Sequence, residues 1–277
     1  MRICPAHTVI SIEGKPGDCF DWTGYNPNIE VVPFGQADFI WYATIGDGDS
    51  ICRNLKALEQ FGKPLISVVL SALDYRPCLS PENRLRHFSS AIDDWPMSVP
   101  CFYCRRSTVP TVIRPLLASF CGSFSTNPNR RLLLKVAAKD IIIDRYEWWQ
   151  KSEAEHDKAR PRYDYLLFAS RFTLCPRGLA ARSTMRLPDA ILAGSLPVLI
   201  DDWSRPFDND LAFAVRTSFK ELPKAIDFIR AMPESEYRER LADMERFAQN
   251  YLLADLKAGC NGTLGYTELI RKKVESL

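Results

Sequence analysis

Histidine is scarce in this chain: only His7, His87 and His156 occur in 277 residues, and they are dispersed. They support neither a metal triad nor a Ser-His-Asp arrangement. An excess of one charge is also missing, since 36 Lys and Arg stand against 34 Asp and Glu for a formal +2. No global field therefore points to nucleic acid or to an acidic membrane surface. Long hydrophobic runs are absent as well. No window approaches the roughly 20 apolar residues of a membrane span, and the opening MRICPAHTVISIEGK has neither a long apolar core nor a small-residue cleavage site. The expectation is a cytoplasmic protein, at most peripheral at a membrane. No GxGxxG follows the first apolar run, which counts against a dinucleotide oxidoreductase. Internal repeats and low-complexity segments are lacking too.

What is present is an ordinary globular composition, 46% hydrophobic and 25% charged, enough for one large or two modest domains with a real core. Nine cysteines form an odd, scattered set. Cys52, Cys121 and Cys175 lie in apolar segments, where a free thiol behaves as a small buried hydrophobe, and a reducing compartment is the simplest reading. Cys101-x-x-Cys104 is a lone pair without a second CxxC or a histidine run, so free thiols are favoured over zinc. The GDGD at residues 46–49 lacks the later ligands of a calcium loop, which makes Asp47 and Asp49 turn and cap residues.

Short apolar runs closed by turn residues read as buried strands. Ile10 to Ile12, Phe39 to Ile45 and Leu65 to Leu73 fit, with a helix over Ser50 to Phe61 between the last two. Strand, helix and strand in that order predict a parallel α/β unit. Residues 76–115 carry many prolines and no clear period, and a boundary is placed at their end. Beyond it, Leu116 to Phe120 predicts a strand, Gly122 to Asn129 a loop, and Arg130 to Ala138 a helix. Ile141 to Ile143 predicts another strand, Glu147 to Arg162 a mobile loop, and Tyr163 to Phe168 a helix or strand edge. Phe172 to Cys175 and Leu196 to Ile200 complete the strands. Leu222, Ile226 and Ile229 mark one helical face, and Tyr237, Leu241, Met244, Phe247 and Tyr251 another.

The stretch RFTLCPRGLAARSTMRLPDAILAGSLPVLIDDW, residues 171–203, reads as strand, glycine-containing loop, helix and strand. Arg177, Arg182, Arg186 and Asp189 gather where the loop meets the helix. Unpaired N–H groups at a helix start favour phosphate, and arginine forks bind phosphate oxygens in pairs. Asp189, further along, can accept hydrogen bonds from a ribose. Pro188 lacks the N–H of a helix interior, so the helix is expected to begin late, near Leu187, or to be kinked. The competing reading is a solvated loop whose arginines pair with nearby acids.

In the order and spacing of Pro176, Arg177, Gly178, Ser183, Arg186, Asp189, Ala190, Gly194, Pro197 and Val198, followed by Pro206-Phe207, the chain resembles the exostosin-like glycosyltransferases. Phe120, Gly122 and Arg130 or Arg131 extend the likeness to a strand end and helix that open the family's second domain. The resemblance implies a GT-B-like α/β fold, two Rossmann-like domains facing a cleft. Residues 1–115 would form an acceptor-side domain and 116–277 the nucleotide-sugar-binding domain, with a last helix returning to the first. It implies inverting, metal-independent transfer from a UDP- or GDP-sugar to a hydroxyl of a glycan or glycoconjugate, with no further cofactor. Donor-binding residues would be Gly122, Arg130, Arg131, Arg177, Gly178, Ser183, Arg186 and Asp189. Asp189 stands where the family usually has Glu. Eukaryotic members of the family are usually membrane-anchored in the secretory pathway, a departure from the compartment read above.

An inverting transfer needs a base for the acceptor hydroxyl. Asp74 follows a predicted strand of the first half, where α/β sites lie, and is the candidate; Glu13 and Asp47 end other strands and are comparable. Two further readings stay open: another nucleotide-binding Rossmann-like enzyme, and a catalytically silent relative that binds glycans or a partner.

Overall fold

The computed structural model describes residues 1–9, 28–45, 49–70, 76–89, 113–147, 153–178, 186–201, 211–249, 271–272 and 274–276. Two five-stranded sheets form its frame, and every pairing in them is parallel. The first contains β1 (Arg2–Pro5), β2 (Glu30–Val31), β3 (Phe39–Ile45), β4 (Leu65–Leu70) and β5 (His87–Ser89), in the order β2-β1-β3-β4-β5. The second contains β6 (Leu116–Gly122), β7 (Ile141–Arg145), β8 (Ser170–Pro176), β9 (Leu196–Ile200) and β10 (Val215–Thr217), in the order β10-β9-β8-β6-β7. Counted from each sheet's own first strand, both orders read 2-1-3-4-5. This is a doubly wound, Rossmann-like topology used twice, consistent with the GT-B-like α/β class.

Continuous apolar sequences make these strands because a parallel sheet is covered on both faces. All five residues of β9, LPVLI, are buried. Around the first sheet, α1 (Asp49–Glu59) turns Ile51, Leu55 and Leu58 onto β3 and β4. The expected strand over Ile10 to Ile12 lies outside the described residues, and β1 lies nearer the terminus. Between residues 76 and 89, where no element was expected, stand α2 (Pro81–Arg84) and β5. Tertiary contacts rather than periodicity hold that segment. Glu59 Oε1 accepts from Ser80 N at 2.8 Å, Ser80 Oγ at 2.7 Å and Asn83 Nδ2 at 2.7 Å. A Cys52–Cys78 disulfide with a Cα–Cα distance of 5.5 Å ties it to α1. Cys52 is therefore half of a cross-link and not the free thiol expected from its apolar surroundings; a partner 26 residues away leaves no local signature.

In the second half, the segment expected to be a mobile loop is helical from Glu153 onward, as α3 (Glu153–Ala169). Its polar stretch is the outer part of a helix whose apolar end, with Leu166, Leu167 and Ala169, is buried. The helix expected over 130–138 is a 3₁₀ segment, Pro128–Val136, whose N-cap Asn127 accepts from Asn129 N. Then α4 (Arg186–Leu192) places Pro188 in its first turn, where no amide is required. It closes in a Schellman motif, with Ser195 N to Ala190 O at 2.9 Å, Gly194 N to Ile191 O at 3.0 Å, and Gly194 at φ 70°. Two amphipathic helices, α5 (Leu222–Ala231) and α6 (Glu234–Phe247), follow β10. Arg114, ahead of β6, donates to Leu167 O, Phe168 O, Ser170 O and Ala193 O, so one guanidinium satisfies the carbonyls that end both α3 and α4. Val274, near the C-terminus, is buried in an apolar cluster that also holds Ile3 and Trp41 of the first sheet and Phe120 and Phe172 of the second.

Candidate anion-binding site

In a doubly wound sheet, ligands bind beyond the carboxyl ends of the strands, at the point where strand order reverses. In the second sheet the chain runs from β6 outward to β7 and returns to β8 on the other side of β6. The crevice is therefore expected between the ends of β6 and β8, at Gly122 and Pro176. The buried arginines meet there.

Arg186 opens α4, and its side chain reaches back over Gly122. Its Nη2 donates to Cys121 O at 2.6 Å, and its guanidinium carbon sits 4.3 Å from the centre of the Phe120 ring. Gly122 is required by that approach: a Cβ there would stand 2.2 Å from Nη2. Arg186 is only 8% exposed, yet its Nε and Nη1 are buried without a hydrogen-bond partner among the described residues. Buried guanidinium N–H groups left unpaired are costly, which makes this crevice a candidate site for an anion.

Arg130 comes to the same ring with its guanidinium carbon 5.8 Å from the Phe120 centre, but its donors are occupied. Nε donates to Arg177 O at 3.0 Å, Nη1 to Ser123 O at 2.9 Å and to Thr126 Oγ1 at 2.6 Å, and Nη2 to Pro176 O at 3.2 Å. The guanidinium thus staples the loop after β6 to the end of β8. Burial, reinforced by the Arg186 charge, lowers its pKa to about 9. Neither arginine makes an ion pair among the described residues.

The loop after β6 is also held from the other side. Glu147, just past β7, accepts from Ser123 Oγ, from Ser125 Oγ at 2.7 Å, from Phe124 N at 3.1 Å and from Arg145 Nε at 2.9 Å. Burial alone would raise its pKa; the hydrogen bonds from Ser123, Ser125, Arg145 and the Phe124 amide outweigh that and hold the group down to about 2. Sequence reasoning missed Glu147. Its one available signal was its place just beyond a strand predicted to neighbour the Gly122 loop.

One turn along α4, Asp189 accepts from the Tyr163 hydroxyl at 2.7 Å through Oδ2. Tyr163, on α3, is raised well above the ordinary tyrosine range by burial first and then by the Asp189 charge. Cys121 and Cys175 are buried thiols near Arg186, pushed up to about 11 and about 12 by burial, which the arginine charge only partly offsets.

The crevice thus brings together Gly122, Arg130, Arg177, Gly178, Arg186 and Asp189 of the expected set. Arg177 and Gly178 lie half-buried at the end of β8, with Arg177 N donating to Ile200 O at 3.3 Å. Arg131 is exposed on the 3₁₀ segment and makes none of the contacts joining the others among the described residues. Ser183, Asp74, Glu13, Asp47, Pro206, Phe207 and the Cys101–Cys104 pair lie outside the described residues. Of the histidines, His7 is exposed, and His87 is buried with Nδ1 2.7 Å from Ser67 Oγ.

Two Rossmann-like sheets, one carrying a cationic crevice at its switch point, define the class as an α/β protein of GT-B-like build. Residues 102–228 match the family model described as the RXYLT1 C-terminal domain. The Arabidopsis thaliana protein named Probable glycosyltransferase At3g07620 is similar, at 32% identity over 153 residues, which cover 52% of this chain and 30% of that protein. The chain accordingly spans less than a third of that relative. Both likenesses support a resemblance of this region to the exostosin-like glycosyltransferases.

Proposed function

We propose that the chain transfers a sugar from a nucleoside diphosphate sugar, with UDP and GDP as the first bases to test, to a hydroxyl of a glycan or glycoconjugate, with inversion and without a metal ion. The observation that carries this reading is Arg186, a buried guanidinium with two unpartnered nitrogens packed over Gly122 at the switch point. In the reaction the anomeric carbon loses its bond to the diphosphate and gains one to the acceptor oxygen, while the acceptor proton goes to a base. Charge accumulates on the leaving diphosphate, and a fixed cation already stripped of water stabilises it without reorganising. Arg186 supplies that cation and stands in for a divalent metal. Arg130, its donors spent on Ser123, Thr126, Pro176 and Arg177, shapes the crevice and adds long-range positive potential. Asp74 remains the candidate base of the first half.

For the compartment, the Cys52–Cys78 bond favours an oxidising one, because cytosolic thiols are kept reduced. It stands as an alternative to the cytoplasmic expectation drawn from the scattered cysteines and the opening residues.

The test is melting temperature against a panel of nucleoside diphosphates and their sugars, for wild type and Arg186→Ala, with EDTA present. A ligand that binds only the folded state adds about 2.7 kcal/mol of stability at a hundred times its Kd. Stabilisation by one nucleotide class, lost in the variant, supports the reading. No shift with any nucleotide overturns it in favour of a silent relative that binds glycans. Transfer that vanishes in chelator overturns the metal-independent part alone.

A further inference from the structure

The loop that borders the crevice after β6 is tied down from two sides. Arg130 draws it toward β8, with Nη1 on Ser123 O and Thr126 Oγ1 while Nε and Nη2 hold Arg177 O and Pro176 O. Glu147 draws it the other way, toward β7, because its carboxylate collects the donors of three consecutive residues, Ser123 Oγ, Phe124 N and Ser125 Oγ. One clamp takes oxygens of the loop and the other takes its hydrogens. The loop's place between β7 and β8 in turn sets how far the ends of β6 and β8 stand apart.

That opening has little tolerance. Arg186 lies over Gly122, where even an added methyl would stand 2.2 Å from Nη2. Its Nη2 is fixed on Cys121 O, and its guanidinium rests on Phe120, whose ring centre is 5.9 Å from that of Phe124. Glu147 holds the amide of Phe124, and its neighbour Tyr146 donates through N to Gly122 O at 3.1 Å. A small shift of the loop therefore reaches Phe120 and Gly122 and moves the cation seated on them, since close-packed groups transmit displacement.

We infer that Glu147 is a positioning residue of the crevice: it touches no substrate, and through residues 122–124 it holds Arg186 where a diphosphate can meet the two nitrogens left without partners among the described residues. This role rests on the donor reading given above. Charge alone would act in the opposite direction, because a carboxylate near an anion site repels the anion, and its removal would tighten binding. Placement wins in this account because binding groups must be held within about 0.5 Å of the productive geometry.

The experiment measures Kd by calorimetry for inorganic pyrophosphate, UDP and GDP in wild type, Glu147→Gln and Ser125→Ala, with melting temperatures alongside. Glu147→Gln removes the charge and keeps the shape. Ser125→Ala keeps the charge and removes one of the bonds by which the carboxylate holds the loop, Ser125 Oγ to Glu147 Oε2 at 2.7 Å. Both are expected to weaken pyrophosphate and nucleotide alike, by roughly fivefold, the scale of one hydrogen bond. A clamp that served only the fold would lower the melting temperature and leave Kd alone. Unchanged affinities in both variants thus overturn the inference and spare the donor reading. Tighter binding in Glu147→Gln with unchanged binding in Ser125→Ala makes Glu147 a bare charge and overturns it as well. Absence of binding by pyrophosphate and by both nucleotides in wild type overturns the inference and the donor reading together. Should Glu147→Gln not fold, Ser125→Ala decides, since wild-type affinity there means that the loop's hold on Glu147 does not place Arg186.

Discussion

Substituting Gly122 by alanine tests whether the buried guanidinium is as tightly placed as described. The added methyl would stand 2.2 Å from Arg186 Nη2, 3.4 Å from its guanidinium carbon and 3.3 Å from Phe120 Cζ. Gly122 ends a strand and is not in the left-handed region, so the penalty is steric and falls on the tip of one side chain. Arg186 would have to leave Cys121 O and slide on the Phe120 ring. Overpacking of this kind costs about 1–3 kcal/mol, and a hydrogen bond to a charged group about 1.5–3 kcal/mol. The two overlap, and a net loss of about 2–3 kcal/mol is expected, or roughly 4–12 °C in Tm for a chain of this size. Nucleotide affinity should fall with it. The decisive assay is a double-mutant cycle by chemical denaturation: Gly122→Ala in an Arg186→Ala background meets no guanidinium, so most of the loss should disappear, giving a coupling of about 1–3 kcal/mol. Additive costs, or a Gly122→Ala protein with wild-type stability and nucleotide affinity, would refute the placement of Arg186.

Two further outcomes follow from particular contacts. The Cys52–Cys78 bond closes a separation of 26 residues, and the chain-entropy relation assigns such a loop about 3.5 kcal/mol, so dithiothreitol or a Cys52→Ala/Cys78→Ala double variant should lower the denaturation midpoint correspondingly. An unchanged midpoint after confirmed reduction would count against the bond. Glu147 is held down to about 2 from an ordinary 4.5, so its contribution to stability is fully present above pH 4.5 and is lost as pH falls toward 2. Glu147→Gln should therefore be less stable than wild type at pH 6 and converge with it near pH 2; parallel acid profiles would contradict the loop clamp.

Much of this protein was legible from local pattern. The runs at Phe39 to Ile45 and Leu196 to Ile200 became strands because buried parallel strands demand apolar side chains on both faces. Pro188 and Gly194 marked the ends of α4 because each suits one backbone requirement, a missing amide at the start and a positive φ at the close. The place of Arg186 at the start of α4 was legible for the same reason, since residue type and spacing within a few residues set it.

Other features had no local signature. Periodicity read the polar half of α3 as loop, although its buried end and the clasp of Arg114 on its final carbonyls make it a helix. The free thiol expected at Cys52 became a cross-link because a fold across 26 residues decided its partner. The division of labour among the arginines was likewise hidden. Arg130 and Arg186 are the same residue type at the same crevice, yet one spends its donors on carbonyls 46 and 47 residues away and the other keeps two in reserve.

By itself, then, the chain's order of residues determined the α/β class, the ends of α4, and the charge available near residue 186, because burial, backbone dihedrals and helix termini act over a few neighbouring positions. Only the tertiary structure decided that the crevice opens between β6 and β8, that Glu147 locks its loop, and that Tyr163 meets Asp189. Those contacts join segments from 22 to 65 residues apart, and strand order and register select them from many partners of equal chemistry.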